Sequence, residues 1–593
     1  MHRRVWLLVA VAGAILGLAG SAAAMTAASS SSSSSAEALR AAPFSMANVP
    51  RTPAARAAKK TMVFGLEQAV SGFNIQQVDQ NAYYAAIVAG TPILRGAYVI
   101  DQKGNYHLDM ASKVVATKSY LKIWIRKDAN WNWLGHKAKP VTAADFIYTW
   151  KQFVDPNNTP ASAVGYLNIA SAKSSGHGKI VTFKWRKTGC TDATPCGAFA
   201  DYRDLIGYIY PGFALTGQKF NDYWHNCVCG NDGHPISNGP FYMSSYTQGQ
   251  GMVLKKNPKW YGAKAKLNSI AFKIITDTNS EIQAMRGGEV DAITPSPESA
   301  LSTLVHQKNL VYSAVPSFTQ EHWDIEVGPG GAPLLRKLYM RQAIAMGMNR
   351  PSLIKALYGG IAPGLQPLNN TFYEFGAPAS GKFAYFKKYN FNPKKAIATL
   401  KSHGCTGGPS TPNASNTNVW TCGGQKTEFH FDTTSRASRV QSSQIFKQQL
   451  MAVGIKIDVG IHDPATFFGT ILPNANFDLG EYAWIGGPDP SGFDAIYQCY
   501  NAQKNLGGSN YKRYCSKKVD SLIKKGETNF NSTKRTAQYQ QAAKITSNAI
   551  SVIPLYAPPQ IFVYKKALQG ASKSNNPTLE GPTWNLQSWH WGS

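Results

Sequence analysis

Tyr120 to Pro156 read YLKIWIRKDANWNWLGHKAKPVTAADFIYTWKQFVDP, and this stretch decides the fold. Leu121 to Arg126 alternate apolar and polar side chains, the pattern of a strand with one buried face. A Trp-rich turn follows. Thr142 stands where a helix needs its N-cap, and Asp145 lies three residues on, the spacing of a capping box. Phe146, Trp150, Phe153 and Val154 fall at i, i+4, i+7 and i+8, one apolar stripe of a helix. None of these side chains is arranged for chemistry; strand, turn and helix build a core.

Outward from this segment the same alternation continues. Thr61 to Phe64, Ile180 to Trp185, Met252 to Lys256, Val290 to Ile293, Ile455 to Val459 and Val552 to Tyr556 read as strands, and Asn238-Gly239-Pro240 is a turn entering another. Between them, helices are predicted over Tyr83 to Val88, from a Ser280 cap to Gly287, over Arg341 to Met348 and Ser352 to Leu357. Others follow from Pro393 to Gly404, over Ser435 to Val453, from Asp463-Pro464, over Lys517 to Lys525 and over Thr533 to Ile550. Alternating helices and strands make an α/β chain. At 593 residues it exceeds one core, so two or three domains are expected.

Hydrophobic residues at 43% and charged residues at 16% describe a globular chain. The net charge of +28 is spread along the sequence without a basic run or nucleic-acid motif, so a basic surface is expected and no nucleic-acid partner. His2, Arg3 and Arg4 precede an apolar run from Val5 to Ala19 and a small-residue site ending at Ala24, which reads as an export signal over 1–24 or, uncleaved, a membrane anchor. Residues 25–59, with an unbroken serine run from Ser29 to Ser35, read as a spacer. Eight cysteines suit an oxidising compartment. Local spacing suggests disulfides Cys405–Cys422 and Cys499–Cys515, with Cys190, Cys196, Cys227 and Cys229 pairing among themselves in an order left open. His225, Cys227, Cys229 and His234 also have the spacing of a tetrahedral metal site, but exported cysteines favour disulfides, so no metal is expected. Signatures of zinc proteases, serine hydrolases and P-loop ATPases are missing from the sequence, so no enzymatic activity and no cofactor are expected.

The order of residues in the opening segment resembles the "TF-x-LR … W-x-DG-x-P-x-TA-x-DV" region of extracytoplasmic solute-binding proteins of ABC importers, family 5, the oligopeptide, dipeptide and nickel type. Further matches follow in the family's order. Gly239-Pro240-Phe241 with Lys256 to Tyr261 comes first, then IQAMRGGEVDAI from Ile282, and MRQAIAMGMNRPSLIKALYGG ending at Gly360. Gln449 to Val459, FDLGEYAWIGGPDP from Phe477, and Ile553-Pro554-Leu555-Tyr556 complete the series. Single motifs are weak, but their preserved order from about residue 60 to about 565 is strong.

The resemblance implies a two-lobed α/β periplasmic-binding-protein fold (type II, cluster C) with an extra domain on lobe I. Lobe I would use 60–90, 236–315 and 550–593, the extra domain 91–235, and lobe II 316–549. Trp131 and Trp133 then lie away from the cleft and read as packing. Ligand contacts are expected in the cleft from Phe73 and Asn74, from Asn238 and Gly239, and from Phe318, Gln320 and Trp323. Tyr482 and Trp484 join them on the loop that continues to Gly487 and Asp489. Oligopeptide carriers tend to place an Asp about three residues after this Trp, where it pairs with the ligand's α-ammonium; here that position is Gly487, and Asp489 is the nearest acid. The implied function is capture of a ligand, foremost a peptide or other small molecule, by a monomeric, membrane-proximal protein outside the cytoplasm, and delivery to an ABC permease with its ATPase subunits. The alternative is a non-transport accessory protein of the same fold, acting in envelope glycolipid assembly or sensing. A lipid anchor at the signal cleavage site is not expected, because the first cysteine is Cys190.

Overall fold

The structure, a computed structural model, describes residues 42–191, 195–372, 383–490, 494–501, 503 and 508–592. The expected export signal and the first part of the expected spacer lie outside these residues.

The opening segment folds as its pattern dictates. Leu121, Ile123 and Ile125 of the strand Tyr120–Ile125 turn inward. The helix Ala143–Val154 begins where the Thr142 amide donates to the Asp145 carboxylate at 2.8 Å. Phe146 and Phe153 are buried, and so are Trp131 and Trp133, which lie in a short strand, Asn130–Trp133, where a turn was expected. The strand sits in a four-stranded sheet with Ala111–Ala116, Ile180–Trp185 and Ile169–Ser175.

Two larger sheets carry the rest. A seven-stranded sheet runs in the order Phe241–Thr247, Gly251–Lys256, Ser269–Ile274, Thr61–Leu66, Ala292–Ile293, Pro559–Lys565 and Leu310–Pro316. A five-stranded sheet runs Lys456–His462, Glu428–Thr434, Leu479–Ile485, Thr319–Ile325 and Val552–Tyr556. The chain crosses between these sheets at 317–318 and again at 557–558, and the two crossings touch, with the Ser317 amide donating to the Pro558 carbonyl at 3.1 Å. One contiguous apolar core spans both sheets near the crossings, joining Val63 and Ile293 to Trp323, Ile325 and Phe431. A separate core, with Phe318, Tyr482, Trp484 and Tyr511, fills the other face of the five-stranded sheet.

Three expectations are corrected. Val552–Tyr556 pairs with Thr319–Ile325 in the second sheet, so the return to the first sheet falls after Tyr556 rather than at residue 550. The expected spacer is folded from Ala42 onward: Pro53–Ala58 is a helix, and Arg56 from it is buried against Asp291, with Nε donating at 2.7 Å and Nη2 at 2.6 Å. The small side chains of this stretch, mostly Ala and Ser, hid that anchor, because a single buried ion pair leaves no periodic signal. The helix assigned to a Ser280 cap starts earlier, at Thr278, because the Asp277 carboxylate accepts the Ser280 amide at 2.7 Å. All eight cysteines are paired, as 190–196, 227–229, 405–422 and 499–515.

Candidate functional site

The sequence-derived contact residues divide sharply once placed. Phe73 is core, edge-on to Tyr246 at 4.9 Å. Asn74 is fully engaged: its side chain donates to the Phe220 carbonyl at 2.8 Å and accepts the Tyr210 hydroxyl at 2.6 Å, tying the first sheet to the extra domain. Asn238 clamps residue Arg95 on both sides, accepting its amide at 2.8 Å and donating to its carbonyl at 3.2 Å. Gly239 is a close-approach residue, since a Cβ there would sit 2.6 Å from the Pro92 carbonyl. Trp323 lies inside the second lobe between Phe431 and Phe446, its indole donating to Glu481 at 2.9 Å. In this structure the contacts of these five residues run within the chain.

The others gather where the second sheet reaches the crossings. Antiparallel register sets Gln320 opposite Trp484 and His322 opposite Tyr482, so these four side chains share one face. Tyr482 donates to Asp324 at 2.5 Å, and Gln320 to the Asn370 carbonyl at 3.0 Å. Trp484 stacks on Tyr511 at 6.0 Å and on His322 at 6.4 Å. Its indole N–H is buried and makes no hydrogen bond within the protein, and the same holds for Nε2 of His322. Burial pulls the His322 ring below the ordinary histidine range, against the opposing pull of Asp324, so the imidazole is neutral at pH 7. Past Trp484 the chain opens: a Cβ on Gly487 meets nothing within 4 Å.

Asp489 is the centre of a charged cluster that joins the lobes. It pairs with Arg535 of the helix Ser532–Ala549. Burial lowers Arg535, but the charges of Asp489 and of Asp201 in the extra domain together hold it above its usual value. Tyr106 donates to Asp204, and the Arg203 guanidinium covers the Tyr106 ring at 4.8 Å. Burial pushes both Asp204 and Tyr106 upward, and the Asp489 charge adds to each. The backbone closes the same contact, with the Ala200 amide donating to the Glu527 carbonyl at 2.7 Å and Tyr202 stacked on Phe530 at 6.1 Å. A second contact is the turn at Gly104, whose Cβ position lies 3.1 Å from Phe318 and 3.3 Å from Pro488. Tyr106, Asp201, Asp204 and Arg535 were missed from sequence. They come from three distant segments, and only the dense charge of Asp201-Tyr202-Arg203-Asp204 offered a signal.

A two-lobed chain with a polar seam at the crossings is built to hold a small molecule between lobes. The chain matches the family described as "Bacterial extracellular solute-binding proteins, family 5 Middle" over residues 106–505, and it belongs to that family. It is similar to the oligopeptide-binding protein OppA of Bacillus subtilis (strain 168), 24% identical over 492 residues that cover 79% of this chain and 83% of that protein. The oligopeptide-binding protein OppA of Mycobacterium tuberculosis (strain ATCC 25618 / H37Rv) is 23% identical over 513 residues, 84% of this chain and 79% of that protein. Among solved structures, the oligopeptide-binding protein AppA from Bacillus subtilis in complex with a nonapeptide superposes with a TM-score of 0.67 at 18% identity, covering 90% of this chain and 99% of that one. Members of the family bind solutes outside the cytoplasm, and among the described residues no helix is long and apolar enough to cross a membrane.

Proposed function

We propose that this protein captures peptides between its lobes and hands them to an ABC permease driven by separate ATPase subunits. The observation that carries the reading is the Trp484 face: a buried aromatic wall whose indole donor has no hydrogen bond among the described residues, opposite Gln320 on the strand that leaves the 317–318 crossing. A buried unsatisfied donor costs free energy unless a ligand or water accepts from it. A peptide carbonyl is such an acceptor, and Gln320, Trp484, Gly487 and Asp489 are the contacts proposed for it. Names of the relatives support the peptide class, since both curated proteins described above are oligopeptide-binding. Opening and closing would turn on the paired crossings at 317–318 and 557–558. Export and a position near the membrane follow from the same reading.

One observation favours a second reading. Asp489, the nearest acid to the usual ammonium anchor, is engaged by Arg535, and Gly487 stands at the anchor position itself. A ligand lacking a free ammonium, such as an envelope glycolipid, suits that arrangement. Mass spectrometry of ligand released from protein purified from its native host separates the two. Heterogeneous short peptides are expected; a single lipid or glycan species would overturn the peptide assignment.

A further inference from the structure

The sequence set His225, Cys227, Cys229 and His234 together, and the structure takes that set apart. Cys227 and Cys229 are joined in a disulfide, so neither is a thiolate ligand. His225 turns to the Ser71 carbonyl at 3.3 Å. His234 instead meets a residue from the opening segment. Ile236–Ser237 pairs with Asn130–Trp133, and the Leu134 amide donates to the Pro235 carbonyl at 2.9 Å. This lays the turn at His136 against the turn at Asp232 to His234. Imidazole nitrogens of His136 and His234 and a carboxylate oxygen of Asp232 all lie within 4.8 Å of one another.

We propose that His136, Asp232 and His234 form a binding site for a borderline divalent cation of the Zn²⁺ type, on the extra domain and separate from the interlobe seam. The carboxylate is positioned from behind. Its Oδ1 accepts the Trp133 indole at 3.1 Å and the His234 amide at 3.0 Å, while the Trp133 ring stacks on His136 at 3.9 Å. That leaves Oδ2 facing both imidazoles, with Nε2 of His136 at 2.7 Å and Nδ1 of His234 at 3.3 Å. One oxygen cannot satisfy two rings well, and Nδ1 of His234 is buried without a hydrogen bond. A cation between the three gives every inward atom a partner.

Two imidazoles and one carboxylate suit Zn²⁺ and its neighbours in the first transition row better than Ca²⁺ or Mg²⁺. Metal–ligand bonds of about 2.0–2.1 Å place tetrahedral ligands about 3.3 Å apart, so the longest separation here closes by up to about 1.5 Å. The side chains are 25–39% exposed and have that freedom. They also leave coordination positions open to water. The two turns supply the ligands, and the cation would pin one turn to the other.

Titration calorimetry with ZnCl₂ on the untagged, chelator-dialysed full protein tests this. One saturable site per chain is expected. His136→Ala and His234→Ala should each weaken it by about tenfold or more, and His225→Ala should leave it unchanged. Asp232→Asn preserves the acceptor for Trp133 and the His234 amide, so it reports on ligation even if a histidine variant folds poorly; it too should weaken binding. Absence of saturable Zn²⁺ binding, or binding indifferent to Asp232→Asn and His234→Ala, would overturn the proposal.

Discussion

Two groups of buried polar residues, one on each lobe, differ in where their hydrogen bonds go. Asn74 and Asn238, on the first lobe, spend both ends of the amide on backbone or tyrosine groups of the extra domain. Trp484 and His322, on the second lobe, are as deeply buried yet each keeps a ring nitrogen without a partner. Burial alone therefore does not separate the two groups, whereas hydrogen bonding does. A paired group holds two parts of the chain together. An unpaired one, on a face that looks toward a seam, waits for something that is not the chain.

The contrast can be broken most directly at Asn238. Asn238→Ala strands the Arg95 amide in the interior, while the Arg95 carbonyl keeps the Ile209 amide at 3.3 Å, so the loss is about 1–3 kcal/mol of stability. Urea unfolding should show a lower midpoint, while calorimetry on the folded variant should show unchanged ligand affinity. A variant that folds normally but binds weakly would reverse the assignment. The first lobe also holds one mixed case. Glu580 accepts the Ile100 amide at 3.1 Å through one oxygen, and its other oxygen is unpaired. Burial pushes its carboxyl up to about 8 from 4.5, against the Arg95 charge. The folded protein then keeps a proton that the unfolded chain has released between those values, so this group makes stability fall as pH rises from about 4.5 to about 8, by at most about 1.4 kcal/mol per pH unit. Glu580→Gln should flatten that slope in denaturation curves at pH 5, 6 and 7; an unaltered slope would assign it to other groups.

The fold was legible because it rests on periodicity. Leu121, Ile123 and Ile125 alternate in sequence and in burial alike, whereas Thr61–Leu66 is a short apolar run buried on both faces, as a central strand of a covered sheet is. What escaped was pairing over long distance. Arg56 finds Asp291 across 235 residues, and His136 finds Asp232 across 96, and no local pattern marks either. The candidate site was half legible for the same reason. The second-sheet edge near Trp484 is one continuous segment that sequence could point to. Arg535, Asp201, Asp204 and Tyr106 come to the seam from three others, so only the folded chain brings them together. Asn74 and Asn238 were picked out by the family resemblance, and their partners Phe220, Tyr210 and Arg95 lie too far along the chain for a local pattern to show them.

Smaller effects sharpen the second-lobe side. Trp484→Phe keeps a ring for Tyr511 and His322 to stack on and removes the indole donor together with part of the ring volume. The donor has no hydrogen bond among the described residues, so the stability loss should be only that of the smaller ring, about 1–2 kcal/mol. Ligand affinity should fall about five- to tenfold, roughly 1 kcal/mol. Loss of stability with unchanged affinity would make Trp484 a core residue like Trp323.

Gly487 gives the finest test of where the seam opens. Its Cβ position is clear of every neighbour within 4 Å, and its backbone is outside the left-handed region that favours glycine. Gly487→Ala should therefore fold as well as the parent, within about 0.5 kcal/mol. The added methyl then enters only space that a ligand would occupy. If the ligand passes over this loop, affinity changes measurably, by about threefold, with stability untouched. Gly487→Asp places a carboxylate where oligopeptide carriers tend to have one, at a distance in sequence from Asp489 and its Arg535 partner. Tighter binding of peptides with a free amino end by that variant, compared with N-acetylated ones, would show that the ammonium anchor is what this chain has given up. Equal binding of both would place the ligand's amino end elsewhere in the seam.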